Sequence, residues 1–148
     1  MERCLLVLCT GNICRSPMAQ VLLAQGLPDW TVESAGLGAL TGAPAAPETV
    51  QALGELGAHL AEHRARQVDE AMVRRAELVL VMSTAQKSEA ESRFPWARGR
   101  VFRIGHWDGY DVDDPYRRPF DAFVQVRSLL EAATQSWKTR MGASLNNT

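Results

Sequence analysis

Two uninterrupted apolar runs constrain the fold most: Cys4 to Leu8 (CLLVL) and Leu78 to Met82 (LVLVM). Neither alternates apolar with polar residues, so each reads as a strand covered on both faces. Each also runs into a helix start. Ser16 is a candidate cap with Pro17 at the first helical position, Val21 and Leu22 supply apolar contacts, and Gly26 closes the segment. Ser83 can cap the helix after the second run, which ends before Pro95. Thr31 to Ser34 and Val101 to Ile104 are further strand candidates. Further helices are predicted from Pro47 to about Leu56 with Gly57 beyond it, after the cap Asp69, and from Phe120 to Trp137. In the last of these, Phe123, Val126, Leu130, Ala133 and Trp137 recur at intervals of three and four. Strands alternating with helices predict one α/β domain: a central parallel sheet of about four strands in a flavodoxin-like doubly wound arrangement, with helices on both faces.

The chain has 148 residues, the length of a single domain. The domain is expected over residues 1–141, with 142–148 (GASLNNT) as a flexible C-terminal tail. A formal net charge of −1 gives no bulk attraction to nucleic acid. No apolar run approaches the roughly 18 residues of a membrane span, and the start is unlike a secretory signal. Three cysteines cannot all pair within one chain, which points to reduced thiols in the cytoplasm.

Ligands on such sheets bind beyond the carboxyl ends of the strands, which is where CTGNICRS lies. Gly11 and Asn12 tolerate left-handed backbone angles that let successive amides converge on an anion. The helix beginning near Ser16 turns its positive end to the same place, and Arg15 adds a planar fork matched to phosphate oxygens. A helix terminus and a cation favour the thiolate form of a cysteine. The loop thus pairs a sulfur nucleophile with a cradle for a tetrahedral dianion, the parts needed for phosphoryl transfer to sulfur. It is not the GxxxxGK[ST] phosphate loop, which has no nucleophile. The Gly/Pro-rich stretch 35–47 (AGLGALTGAPAAP) reads as a surface loop long enough to suspect function.

CTGNICRSP resembles the signature of the low-molecular-weight protein tyrosine phosphatases, and DDPYRRP resembles their second, Asp-Pro-Tyr signature. VESAGLGAL, HRARQV, GHWD and DPYRRPFDAF are most similar to the bacterial Wzb-type members paired with capsule or exopolysaccharide tyrosine kinases. The resemblance implies a cytoplasmic phosphotyrosine phosphatase that needs no metal or other cofactor. Its substrate would be an autophosphorylating bacterial tyrosine kinase, and the default oligomeric state is a monomer. It makes Cys9 the nucleophile, Arg15 the phosphate clamp and Asp114 the general acid and base, with Thr10, Gly11, Asn12, Ile13 and Cys14 completing the phosphate loop. Asn12, Ser16, Ser34 and His63 match a hydrogen-bonding group that supports that loop, and Leu37, Leu40 and Tyr116 are the candidate pocket walls. Cys14 is either a small apolar packing residue or a resolving thiol that captures oxidised Cys9. His59, His63 and His106 form no ligand pattern beyond one i,i+4 pair.

Three rivals share parts of this pattern. A thiol-dependent arsenate reductase of the same fold uses downstream cysteines, and none follows Cys14. A protein-arginine phosphatase of the family typically carries threonine where Ile13 stands. A catalytically weak phosphotyrosine-binding module does not require Cys9, Arg15 and Asp114 together.

Overall fold

A computed structural model describes residues 3–146, with side chains through residue 142. Four strands, β1 (Arg3–Cys9), β2 (Trp30–Gly36), β3 (Leu78–Val81) and β4 (Val101–Arg103), form one sheet in the order β2-β1-β3-β4. Every pairing is parallel. The chain reverses its direction of winding between β1 and β3, so a crevice opens at their carboxyl ends, where Cys9 is the last residue of β1.

Alternation along β1 divides the core. Leu5, Val7 and Cys9 face a layer made by α1 (Arg15–Ala24), α2 (Pro47–Leu53) and α5 (Phe120–Asn146). Leu6 and Leu8 face the opposite layer, containing α3 (Glu70–Arg75) and α4 (Thr84–Arg93). The expected doubly wound sheet with helices on both faces is the observed one. The periodic residues of α5 are all buried, and Trp137 Nε1 donates to the Ile104 carbonyl at 2.8 Å, tying the helix to the end of β4.

Several boundaries shift for identifiable reasons. The helix beginning at Pro47 stops at Leu53, because Gly54 adopts φ 61° and the chain tightens into a 3-10 helix over Gly54–Leu60. The last helix runs past Trp137 to Asn146, so the first residues of the expected tail continue the helix; residues 147 and 148 lie outside the described residues. Among the described residues no helix is long and apolar enough to cross a membrane.

Ser16 departs from its expected role as a cap. Helix α1 begins two residues earlier, its N-cap position is Cys14, and no side chain caps it. Pro17 consequently stands third in the helix, still within the first turn, where the missing N–H costs no intrahelical bond. The Ser16 hydroxyl is turned elsewhere, towards sulfur.

Candidate active site

The loop from Cys9 to Arg15 wraps the head of α1 with every peptide carbonyl from Cys9 to Cys14 accepting from the scaffold. The Cys9, Thr10, Gly11 and Ile13 oxygens accept from the amides of Leu37, Gly38, Leu40 and Ala46 at 2.9 to 3.1 Å. The Asn12 oxygen lies 2.8 Å from His63 Nε2, and the Cys14 oxygen accepts from Met18 N at 3.3 Å and Thr49 Oγ1 at 3.5 Å. A trans peptide carries its N–H opposite its C=O, and no peptide here is cis. The amides of residues 10 to 15 therefore turn away from those partners, Asn12 N to the Cys9 sulfur and the other five towards the crevice. Asn12 makes the turn with φ 61°. The close approach has a steric condition: a Cβ on Gly36 would stand 2.5 Å from the Thr10 carbonyl oxygen, so β2 can lie against the loop only with glycine there.

Sulfur sits inside this wrap. Cys9 Sγ accepts from Asn12 N at 3.3 Å and lies 2.9 Å from Ser16 Oγ. Ser16 Oγ in turn accepts from Asn12 Nδ2 at 2.8 Å, which leaves its own proton to point at sulfur. Asn12 Nδ2 also donates to Ser34 Oγ at 3.0 Å, and Ser34 Oγ donates to Gln20 Oε1 at 2.7 Å. His63 completes the set. Because a carbonyl only accepts, Nε2 carries the proton in its bond to Asn12, and burial pushes this imidazole below its ordinary range. Asn12, Ser16, Ser34 and His63 thus meet around one loop.

Arg15 is 5% exposed. One guanidinium nitrogen donates to the Val112 carbonyl at 2.7 Å, another lies 3.9 Å from Asp114 Oδ2, and the buried Nε has no partner among the described residues. A buried donor of that kind is satisfied by an anion. The three aspartates of DVDD are separated by environment. Asp111 is bound away from the cleft, by Arg103 at 2.9 Å and by the Thr84 amide and hydroxyl at 3.2 and 3.3 Å, which holds its carboxyl below the usual range. Asp113 lines only a neighbouring groove beside Arg118, which Asp114 also borders. Asp114 lines the cleft itself, with Oδ1 accepting from Tyr116 N at 3.0 Å across Pro115.

The cleft, about 160 Å³, is walled by Ile13, Gly38, Leu40 and Tyr116 over a floor that includes Cys9, Thr10, Gly11, Cys14 and Arg15. Leu40 and Tyr116 are exposed at its rim. Leu37, expected in that wall, is not there. Its side chain is buried on the opposite face of the sheet with Leu6, Leu8 and Val81, while its carbonyl accepts from Gln67 and Arg93. The strand direction of β2 carries over one residue past Gly36, and Gly38 takes the place beside the cleft. Cys14 lines the floor with its thiol pushed up to about 12, chiefly by burial and then by Asp114 and Cys9. Among the described residues no group of His, Cys, Asp or Glu is arranged to hold a metal ion.

Sequence reasoning missed Gln20, Gln67, Gln86 and Arg66. Gln86 had a signal, since Ser83-x-x-Gln86 is a capping-box pattern. Ser83 does cap α4, but Gln86 Oε1 reaches past the cap to Met82 N at 2.8 Å, and its Nε2 donates to Thr10 Oγ1 at 3.1 Å. Gln20 stands one helical turn after Ser16, a spacing that places both on one face of α1.

A doubly wound sheet whose switch point holds a cysteine inside a ring of inward amides, with a buried arginine and a nearby aspartate, defines a cysteine-centred oxyanion-binding enzyme. Residues 4–147 match the family described as low molecular weight phosphotyrosine protein phosphatase. The chain is 46% identical over 143 residues to a probable low molecular weight protein-tyrosine-phosphatase EpsP of Ralstonia solanacearum, covering 97% of this chain and 99% of that one. The crystal structure of the tyrosine phosphatase Wzb from Escherichia coli K30 in complex with sulphate superposes with a TM-score of 0.89 at 37% identity, over 95% of this chain and 99% of the other. The YwlE arginine phosphatase from Geobacillus stearothermophilus superposes with a TM-score of 0.90 at 30% identity, over 99% and 97%. The chain belongs to the low-molecular-weight phosphotyrosine protein phosphatases.

Proposed function

We propose that the chain hydrolyses phosphotyrosine in proteins in two steps through a phosphocysteine on Cys9. The observation that carries this reading is the outward turn of every loop carbonyl from Cys9 to Cys14, which leaves five amides and Arg15 for one tetrahedral anion while the sixth, Asn12 N, donates to the Cys9 sulfur. Cys9 sulfur attacks phosphorus, the bond to the phenolic oxygen breaks, and Asp114 gives that oxygen its proton. In the second step Asp114 takes a proton from water as the water attacks the phosphocysteine, releasing inorganic phosphate. The Ser16 hydroxyl, donating to sulfur, supports the negative charge sulfur bears before attack and regains on leaving. The amides and the guanidinium hold the equatorial oxygens throughout.

The substrate we assign is a phosphotyrosine protein, and specifically the autophosphorylated bacterial tyrosine kinase of a capsule or exopolysaccharide system, met in the cytoplasm by a monomeric phosphatase. The Wzb and EpsP likeness supports it. The arginine phosphatase likeness makes phosphoarginine the competing substrate. Against it, Ile13 puts an aliphatic side chain in the cleft, suited to a phenyl ring. Matched phosphotyrosine and phosphoarginine peptides distinguish the two by kcat/KM. A preference for phosphotyrosine is expected, and a preference for phosphoarginine overturns the assignment.

Leu40 is proposed as a rim contact for the peptide. Leu40→Ala should lower kcat/KM for a phosphotyrosine peptide about fivefold, the value of losing part of one apolar contact. Turnover of a small aryl phosphate should stay within about twofold. Equal losses on both would mean that the 37–40 loop has collapsed.

For Cys14 we propose the resolving role. If peroxide converts Cys9 to a sulfenic acid, the Cys14 sulfur displaces hydroxide, a disulfide forms and water leaves. Burial pushes the Cys14 thiol up to about 12, so it must give up its proton as it attacks, and both sulfurs line the same cleft. Wild type should regain most activity with dithiothreitol after mild peroxide, whereas Cys14→Ser should lose it irreversibly over the same time. Equal recovery would leave Cys14 a packing residue.

A further inference from the structure

We infer that Arg66, anchored by Glu33, is a positioning residue that fixes the polarity of the hydrogen bonds reaching the Cys9 sulfur. The inference rests on the reading of the 9–15 loop as the phosphate site. Asn12 is fully buried, and its side-chain amide has two ends that a rotation would exchange. Its Oδ1 accepts from the backbone N–H of Arg66 at 3.0 Å. A backbone N–H can only donate, so this contact decides which end of the amide is oxygen. Nδ2 must then donate to Ser16 and Ser34, and the Ser16 proton is left for sulfur. Reversing the amide would present oxygen to Ser16 and draw its proton away from Cys9.

The peptide that carries this N–H is held on its other side by Gly42 N, which donates to the Ala65 carbonyl at 2.8 Å, and the Arg66 side chain adds a tie from the same residue to β2. Its Nε donates to the Ser34 carbonyl at 3.0 Å, and a terminal nitrogen meets Glu33 Oε2 at 2.9 Å. Both acceptors lie on β2, next to the loop. Arg75, on α3, grips the same carboxylate through two nitrogens, each at 3.0 Å. Arg75 and then Arg66 hold the Glu33 carboxyl at about 2, so the anchor is ionised at neutral pH. The two arginines share one carboxylate, yet only Arg66 continues to Asn12. Arg75 is therefore a matched control that removes a Glu33 ion pair without touching the loop.

The test compares Arg66→Ala, Arg66→Lys and Arg75→Ala in the full chain. It uses kcat/KM for a phosphotyrosine peptide, the vanadate inhibition constant, thermal stability, and hydrogen exchange of the Asn12 amide. Arg66→Ala should lower kcat/KM about tenfold, weaken vanadate by a similar factor and expose the Asn12 amide to exchange. Arg66→Lys should recover part of each, because one of the two side-chain contacts survives, and it carries the comparison should the alanine variant fail to fold. Arg75→Ala should stay within about twofold on every active-site readout while losing thermal stability as Arg66→Ala does. Equal kinetic effects of Arg66→Ala and Arg75→Ala overturn the inference, as does an Asn12 amide that stays protected without Arg66. An inactive wild type would remove the phosphatase reading, and the Asn12 exchange would still decide the role of Arg66.

Discussion

Cys9→Ser is expected to lower phosphotyrosine turnover by on the order of 10⁴-fold or more, the scale on which removal of a catalytic nucleophile acts. Phosphate or vanadate should still bind. The carbonyls that turn the loop outward are taken by Leu37, Gly38, Leu40, Ala46 and His63, none of which depends on the sulfur. Arg15 likewise keeps its bond to Val112. Isothermal titration with phosphate alongside a turnover assay separates the two quantities. A variant that neither turns over nor binds phosphate would mean that the sulfur organises the cradle.

Asp114→Asn carries the second large effect, and its size should depend on the leaving group. Asparagine keeps the shape and the contact from Tyr116 N but has no acidic proton to give. With phenyl phosphate, whose leaving oxygen needs that proton, kcat should fall by about 10² to 10⁴-fold. With a phenol acidic enough to depart as an anion, the loss should be much smaller. Asp113→Asn should show no such dependence, because Asp114 lines the cleft and Asp113 does not. Asp111→Asn should cost stability through its bonds to Arg103 and Thr84 without changing the dependence on the leaving group. If the Asp113 and Asp114 variants exchanged behaviours, the proton donor would be one residue away from its assigned position.

What was legible in the sequence was what local chemistry decides. The apolar runs of β1 and β3 announce strands buried on both faces, and their alternation with helices is enough for the layer architecture. Gly11-Asn12 reads as a turn, and Asn12 does adopt the left-handed angles. Ser83 and Asp69 cap their helices through side-chain bonds to Gln86 N and Met72 N, since a cap is a contact across three residues. Ser16 looks the same in the sequence and behaves otherwise, because the sulfur at the end of β1 and the Asn12 amide compete for its hydroxyl from outside the helix.

The misplacement of Leu37 has the same origin. A loop of small residues after a strand leaves its facing undetermined, and only the pairing of Gly36 with Cys9 and with Gln67 shows that the strand direction continues far enough to bury Leu37. Arg66 and Gln86 act through partners 54 and 76 residues away, Asn12 and Thr10, a separation at which no spacing rule operates. The resemblance to a family supplied Ser34 and His63 where the residues themselves did not. Their meeting at Asn12, at 3.0 and 2.8 Å, depends on β2 and the segment after Leu60 closing over one loop.

The central claim is that phosphate passes through the Cys9 sulfur, and rapid acid quench during turnover of a phosphotyrosine peptide tests it most directly. Mass analysis of the peptide containing Cys9 should find phosphate bound to that sulfur within the first turnover. The adduct should be absent from Cys9→Ala and should accumulate when Asp114→Asn slows the attack of water on the intermediate. Full-rate turnover with no phosphorylated Cys9 at any quench time, or with the phosphate on another residue, would contradict the account.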